Sequence, residues 1–155
     1  MMKAKEYIKH LDLSPHPEGG YFKEIYRSDT EKEFIAGKRS LLTSIYFLLE
    51  KGQKSHWHKI KSDEQWHFYV GAPLTICIIK ENKLEKLSLG PNIKNGESLF
   101  INIPADHWFG AFSNGDFTLV GATVAPGFDF QDFSLAKRED IPLKDPLSLS
   151  LILDS

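Results

Sequence analysis

Gly52-Gln53-Lys54-Ser55-His56-Trp57-His58, followed by Asp63-Glu64-Gln65-Trp66-His67-Phe68-Tyr69-Val70-Gly71, is the stretch on which the fold turns. Side chains of a β-strand alternate between faces with period two, so His56 and His58 are expected to point the same way. Glu64 opens a second apolar run, closed by Gly71-Ala72-Pro73. A hairpin between the two runs would set Glu64 opposite both imidazoles. Two imidazoles and a carboxylate on one inner face suit a divalent transition metal, and equally suit acid–base work.

The same texture continues on both sides. Segments 21–27, 41–49, 55–60, 64–70, 74–79, 84–89, 98–103, 107–112 and 117–124 are short and rich in β-branched and aromatic residues. Gly, Asn, Asp or Pro turns divide them. Glu81-Asn82-Lys83 and Ser113-Asn114-Gly115-Asp116 are the clearest hairpin turns. Strands at this spacing without intervening helices predict an antiparallel barrel or sandwich. Ahead of them, residues 3–11 predict one short helix with Tyr7, Ile8 and Leu11 on one side, broken by Ser14-Pro15-His16-Pro17-Glu18-Gly19-Gly20. At the other end, leucine alternates with serine over 147–153. That pattern fits an edge strand, exchanged across a dimer interface, or a tail packed on its own domain.

Composition narrows the class. A chain of 155 residues is expected to be one domain over 1–155: helix and loop 1–20, barrel 21–142, tail 143–155. Hydrophobic residues make up 41% and charged residues 26%, as in an ordinary soluble protein. A net charge of −2 gives no basic footprint, so nucleic acid is not an expected partner. No segment reads as a membrane span or a secretory signal. The lone Cys77 lies inside an apolar run and reads as core, which fits a reducing cytoplasm. There is no phosphate-cradling Gly-rich loop of the P-loop kind and no Gly-x-Ser-x-Gly elbow.

Three segments together resemble the cupin superfamily. Gly52, His56, His58, Glu64 and Gly71 fill the places of its first motif, with a short gap before His56 and a long spacer before Glu64. Gly96 and Pro104-Ala105-Asp106 lie where the second motif belongs. A narrower likeness rests on His16-Pro17-Glu18-Gly19-Gly20-Tyr21, on Ser62 to Gly71, and on Val124-Ala125-Pro126-Gly127-Phe128-Asp129-Phe130-Gln131-Asp132-Phe133. These look like the hallmarks of one largely uncharacterised, sugar-epimerase-like cupin subfamily, over nearly the whole chain. The resemblance implies an all-β fold, the double-stranded β-helix or jelly-roll barrel, with a short N-terminal helix. It also implies a homodimer and a small-molecule pocket, and it names no reaction.

Within that frame, His56, His58 and Glu64 are the candidate metal ligands, for zinc, iron, nickel or manganese. The fourth-ligand place of the second motif falls on Phe109, with His107 two residues earlier on the same face. The alternative is a hydrogen-bonded polar cluster without metal. His58 and Glu64 are the candidate catalytic pair: a carboxyl partly desolvated by Trp66, Phe68 and Phe109 next to an imidazole can move a proton beside a carbonyl. His56, Glu18, Trp66, Phe68, His107, Phe109 and Arg27 are the candidate binding residues. Gly19-Gly20 would let the loop fold over the barrel mouth and deliver Glu18, or merely start the first strand. Arg27, Arg39 and Lys59 are anion contacts or ordinary surface charges. The Phe128–Phe133 run caps the barrel or completes the pocket rim, and His16 has no role that spacing alone assigns. The function expected is an isomerase-like or metal-assisted enzyme for a compact polar or anionic compound such as a sugar or nucleotide derivative. The alternatives are a non-catalytic binding or sensing cupin, or a barrel filled by its own side chains.

Overall fold

The alternating segments become strands in a computed structural model, which describes residues 1–154. In chain order they are β1 (Ser14–Pro15), β2 (Tyr21–Arg27), β3 (Glu31–Phe34), β4 (Gly37–Ser40), β5 (Thr43–Glu50), β6 (Lys54–Lys59) and β7 (Asp63–Gly71). Then follow β8 (Leu74–Lys80), β9 (Lys83–Leu89), β10 (Phe100–Ile103), β11 (Phe109–Ser113), β12 (Phe117–Ala125) and β13 (Ser134–Leu135). Helices α1 (Ala4–His10) and α2 (Pro146–Ser150) lie at either end. One sheet has the order β1-β2-β5-β12-β7-β10 and the other β13-β6-β11-β8-β9, while β3 and β4 form a separate hairpin. The two larger sheets face each other as a jelly-roll barrel.

Alternation sorts the side chains. Along β8, Ile76 and Ile78 enter the cluster between the sheets, beside Phe47, Trp66, Phe109 and Val120. Cys77 and Ile79 face outward and are buried as well, because residues 136–152 cover that side with Ala136, Ile141, Leu147 and Leu151. Burial on both faces explains why β8 reads as one continuous apolar run. Each such Leu, Ile or Phe contributes about 1.5–3 kcal/mol of transfer free energy. Tyr7, Ile8 and Leu11 of α1 pack on Leu48, Phe117 and Leu119 of the other sheet. The β8–β9 turn places Glu81 and Asn82 at positive φ, 49° and 60°, as a two-residue hairpin turn of right-handed strands requires.

Two expectations need correction. The β3–β4 hairpin was not expected, because β3 is fully exposed and charged and so carries no apolar alternation. The 147–153 tail is not a strand: Pro146–Ser150 is helical. Asp145 caps it, accepting from the Ser148 N–H at 3.0 Å and the Ser148 hydroxyl at 2.6 Å, with Pro146 in the first turn. Leu147 and Leu151, one helical turn apart, then meet the Trp57 and Cys77 cluster of their own chain.

Two further features set up the open end of the barrel. Opposite β11, Phe109 pairs with His58 but Ala111 pairs with Ser55, so His56 and Trp57 together face Gly110 in a β-bulge. A Cβ on Gly110 would stand 2.7 Å from the Ser55 carbonyl oxygen, which is why the position holds glycine. Farther round, Arg39 of β4 grips Asp132 with two buried hydrogen bonds, at 2.9 and 2.8 Å, and so ties the Phe130–Asp132 turn to the β3–β4 hairpin.

Candidate functional site

A cavity of about 320 Å3 opens between the sheets. Its walls are Phe22, Ile45, Ile60, Val124, Phe128, Phe130 and Phe133, and its polar groups include His16, Glu18, His58 and Glu64. Glu24, Arg27 and Asp129 also line it.

Glu18 arrives by the His16–Gly20 loop. Gly19 and Gly20 have φ of 110° and 73°, and a Cβ on Gly19 would collide with the Lys54 carbonyl. The loop is therefore pressed onto β6. The His56 backbone N–H and its ring Nδ1–H both donate to the Glu18 carbonyl, at 2.8 and 2.7 Å. Glu18 is thus anchored by its backbone while its carboxylate reaches His58 Nε2 at 2.8 Å. Both side chains are buried, at 5% and 2% exposure.

The bulge decides which histidine enters. His58 turns inward, whereas His56 lines an outer cleft with Gly19, Gly52, Lys54 and Leu153. The period-two expectation for the His-Trp-His stretch fails because the bulge inserts one residue into the count. His58 Nδ1 donates to the His56 carbonyl at 2.7 Å, so only Nε2 is left to share a proton with Glu18. Burial works against charge on His58, but the Glu18 carboxylate outweighs it through its charge and hydrogen bond, holding the His58 pKa above the ordinary histidine value. Burial likewise pushes Glu18 up, and the His58 charge and hydrogen bond reverse this to a net lowering. Ser55 Oγ, fully buried nearby, closes no hydrogen bond of good geometry.

Glu64 sits on β7 and accepts from the Trp66 indole N–H at 2.9 Å through Oε1. Burial pushes its carboxyl up to about 7, with His58 and Trp66 opposing the rise and Glu18 adding to it. The cavity thus holds an ion pair beside a carboxyl that changes protonation near neutrality. Such a set can take a proton from one atom and supply another.

The remaining expected site residues divide. Glu18, His58, Glu64 and Arg27 line the cavity; His56, Trp66, Phe68, His107 and Phe109 do not. Trp66 and Phe109 belong to the core and support the site from behind, the Phe109 ring lying 4.0 Å from that of His58. Phe68 packs against the same core. His107 folds back on the Ala105 carbonyl at 2.8 Å. Arg27 is engaged by Glu24, at 2.6 and 3.2 Å, and by the Phe128 carbonyl at 3.0 Å. His16 and the aromatic wall are what sequence reasoning left without a binding role. The run of Phe128, Phe130 and Phe133 signalled a rim, but nothing in the chain told which faces turn inward.

The metal expectation meets a donor set that does not fit. His56 lies on the other side of β6 and its Nδ1 is spent on the Glu18 carbonyl. The fourth place carries the Phe109 ring. Among the described residues no three His, Cys, Asp or Glu side chains stand together as an ion would require.

Comparison with known proteins fits this architecture. The family model described as Cupin superfamily (DUF985) matches residues 5–136. Uncharacterized protein YML079W of Saccharomyces cerevisiae is 29% identical over 153 residues, covering 88% of this chain and 76% of that protein. Among solved structures, protein SO0799 from Shewanella oneidensis is 37% identical, with a TM-score of 0.90 and full coverage of both chains. A hypothetical protein from Leishmania major is 30% identical with a TM-score of 0.91, covering 99% of this chain and 100% of its own. With the jelly-roll order of its strands and a family match over most of its length, the chain belongs to the cupin superfamily, in the family described as DUF985.

Proposed function

We propose that the barrel is an isomerase that moves a proton on a compact polar compound, a sugar derivative being the type. The observation that carries the reading is the buried His58–Glu18 pair at 2.8 Å in one cavity with Glu64, whose carboxyl titrates near neutrality. Glu64 as carboxylate takes a proton from the carbon beside a carbonyl. The electron pair of that C–H bond moves into the carbonyl, and the new enediol oxygen receives a proton from His58 Nε2. That proton is the one Nε2 shares with Glu18, so the Glu18 hydrogen bond opens as it leaves and re-forms when it returns, while the Nδ1–H on the His56 carbonyl keeps the ring in place. Collapse of the enediol returns a proton from the neighbouring hydroxyl to His58, forming the new carbonyl there, and places the Glu64 proton on the adjacent carbon from the same face. Atoms balance, and no outside oxidant or reductant enters.

The donor set supports no metal-routed step. Binding without turnover is the second reading, favoured by the four phenylalanines that line the cavity. A homodimer and a cytoplasmic location remain part of the proposal, checked by light scattering and by fractionation. Among the described residues no helix is long and apolar enough to cross a membrane.

The test is deuterium exchange. A panel of aldoses, ketoses and hydroxyketones is incubated with the protein in D2O, and carbon-bound deuterium is read by mass spectrometry. Incorporation into one compound, abolished by Glu64→Gln and by His58→Gln, is expected. Saturable binding of a panel member with no deuterium on carbon would reject the isomerase and leave the sensor.

A further inference from the structure

His16 lies between two prolines and is fixed by its backbone, with its N–H on the Gly20 carbonyl at 2.9 Å and its own carbonyl taking the Gly19 N–H at 3.0 Å. Its ring meets Phe22 edge-on at 4.5 Å and Phe47 and Phe133 at 5.9 Å. The Glu18 peptide N–H donates to His16 Nδ1 at 3.1 Å. A peptide N–H can only donate, so Nδ1 carries a lone pair and the neutral ring bears its proton on Nε2. Burial favours the same neutral form, pushing the His16 pKa down against the pull of the Glu18 carboxylate. The Glu18 carboxylate oxygen 3.9 Å from Nδ1 is therefore no ion-pair partner. No hydrogen bond within the described residues uses Nε2, although His16 lines the cavity. An N–H donor with no partner is thus held in an aromatic collar.

Charge along the same wall is one-sided. Glu18, Glu24, Glu64 and Asp129 line the cavity against two cations, both already held: Arg27 by Glu24 in a two-pronged pair, and the His58 imidazolium by Glu18. An incoming anion would find no free cation and several carboxylates. We infer that His16 is the ligand-orienting donor of this cavity, and that the ligand is an uncharged carbonyl compound with an apolar face. The inference rests on the cavity being the working site proposed above, and it replaces the anionic ligand expected from sequence. A ring fits: cavities of about 150 Å3 already accept benzene, and this one is about 320 Å3.

Three probes of one shape test it: benzamide, benzoate and benzylammonium, followed by NMR on protein labelled with 15N at histidine. His16 is expected as the Nε2–H tautomer at about pH 7.5, with its Nε2 signal moving on addition of benzamide. Benzamide should bind at least about tenfold more tightly than either charged probe, and His16→Phe should lose about tenfold, the worth of one hydrogen bond. His16→Asn keeps an acceptor for the Glu18 amide and an N–H donor, and should recover part of that loss. Thermal midpoints of both variants check that they fold. The inference is overturned by benzoate or benzylammonium binding as well as benzamide. It is equally overturned by unchanged benzamide binding in a folded His16→Phe, or by no binding of any probe at about 20 mM. Selective benzamide binding together with no deuterium exchange on the sugar panel would reject only the isomerase.

Discussion

Glu64→Gln removes a titration while keeping the shape of the side chain, and its effect on stability follows from the site. In the folded protein burial lifts the Glu64 pKa from 4.5 to about 7. The folded state then holds this proton more tightly than the unfolded chain. Stability from that source is fully present below about pH 4.5 and is lost as the pH rises through 7. At about 1.4 kcal/mol per pKa unit, the loss is about 3 kcal/mol. Gln cannot ionise, and its carbonyl oxygen can still accept from the Trp66 indole. The variant should therefore match the parent near pH 4.5 and gain on it progressively, reaching about 3 kcal/mol by pH 8. For a chain of this length that is about 6–12 °C in Tm. Losing the Glu64 charge also withdraws some support for the His58 charge, which trims the gain. Urea unfolding followed by tryptophan fluorescence at a series of pH values measures it. An offset between the two proteins that stays constant from pH 4.5 to pH 8 would refute the burial argument.

Three other outcomes follow from the same geometry. Glu18→Gln removes the charge that holds His58 above the ordinary histidine value, so the His58 proton should leave at lower pH; an unchanged 15N titration of His58 would contradict the pairing. Trp57→Phe leaves the Ser148 carbonyl without the indole N–H that now donates to it at 2.7 Å. A cost of about 2 kcal/mol is expected, with amide exchange rising first in α2; uniform acceleration across the barrel would argue against a local brace. Cys77 is buried, and burial pushes its thiol up to about 11. A thiol reagent at pH 8 should leave it unmodified until denaturant is added, and prompt reaction of the native protein would show that residues 136–152 do not cover it.

Most of the barrel was legible in the sequence, because half-buried strands write their burial as alternation. The expected segments 21–27, 74–79 and 117–124 differ from β2, β8 and β12 by at most a residue at an end. Legibility ended where that code is broken. The bulge opposite Gly110 changes the parity of β6, so His56 and His58 part company although the motif places them on one face. The tail was left between two readings, of which the packed one holds: Leu147 and Leu151 are spaced for a helix as well as for a strand, and the Asp145 cap decides between them. Glu18 was readable because Gly19-Gly20 announces an unusual backbone. The partnership of Glu18 with His58 was not, since it joins residues distant in sequence. Nor was the role of His16, whose tautomer depends on a peptide N–H two residues away.

The parts of the cavity also differ in how freely they can be altered. His58 and Glu64 stand on strands paired on both sides, while Phe128, Phe130 and Phe133 stand on a connecting segment clipped to the β3–β4 hairpin by Arg39 and Asp132. On the proposed reading, His58 and Glu64 therefore sit on a rigid piece of the fold and the aromatic wall on an exchangeable one. Combinatorial libraries confined to positions 128, 130 and 133, with the Asp132 clip retained, would re-cut the entrance to the cavity while leaving the proton-handling residues where they are. A barrel built this way is a starting point for retargeting by loop replacement alone.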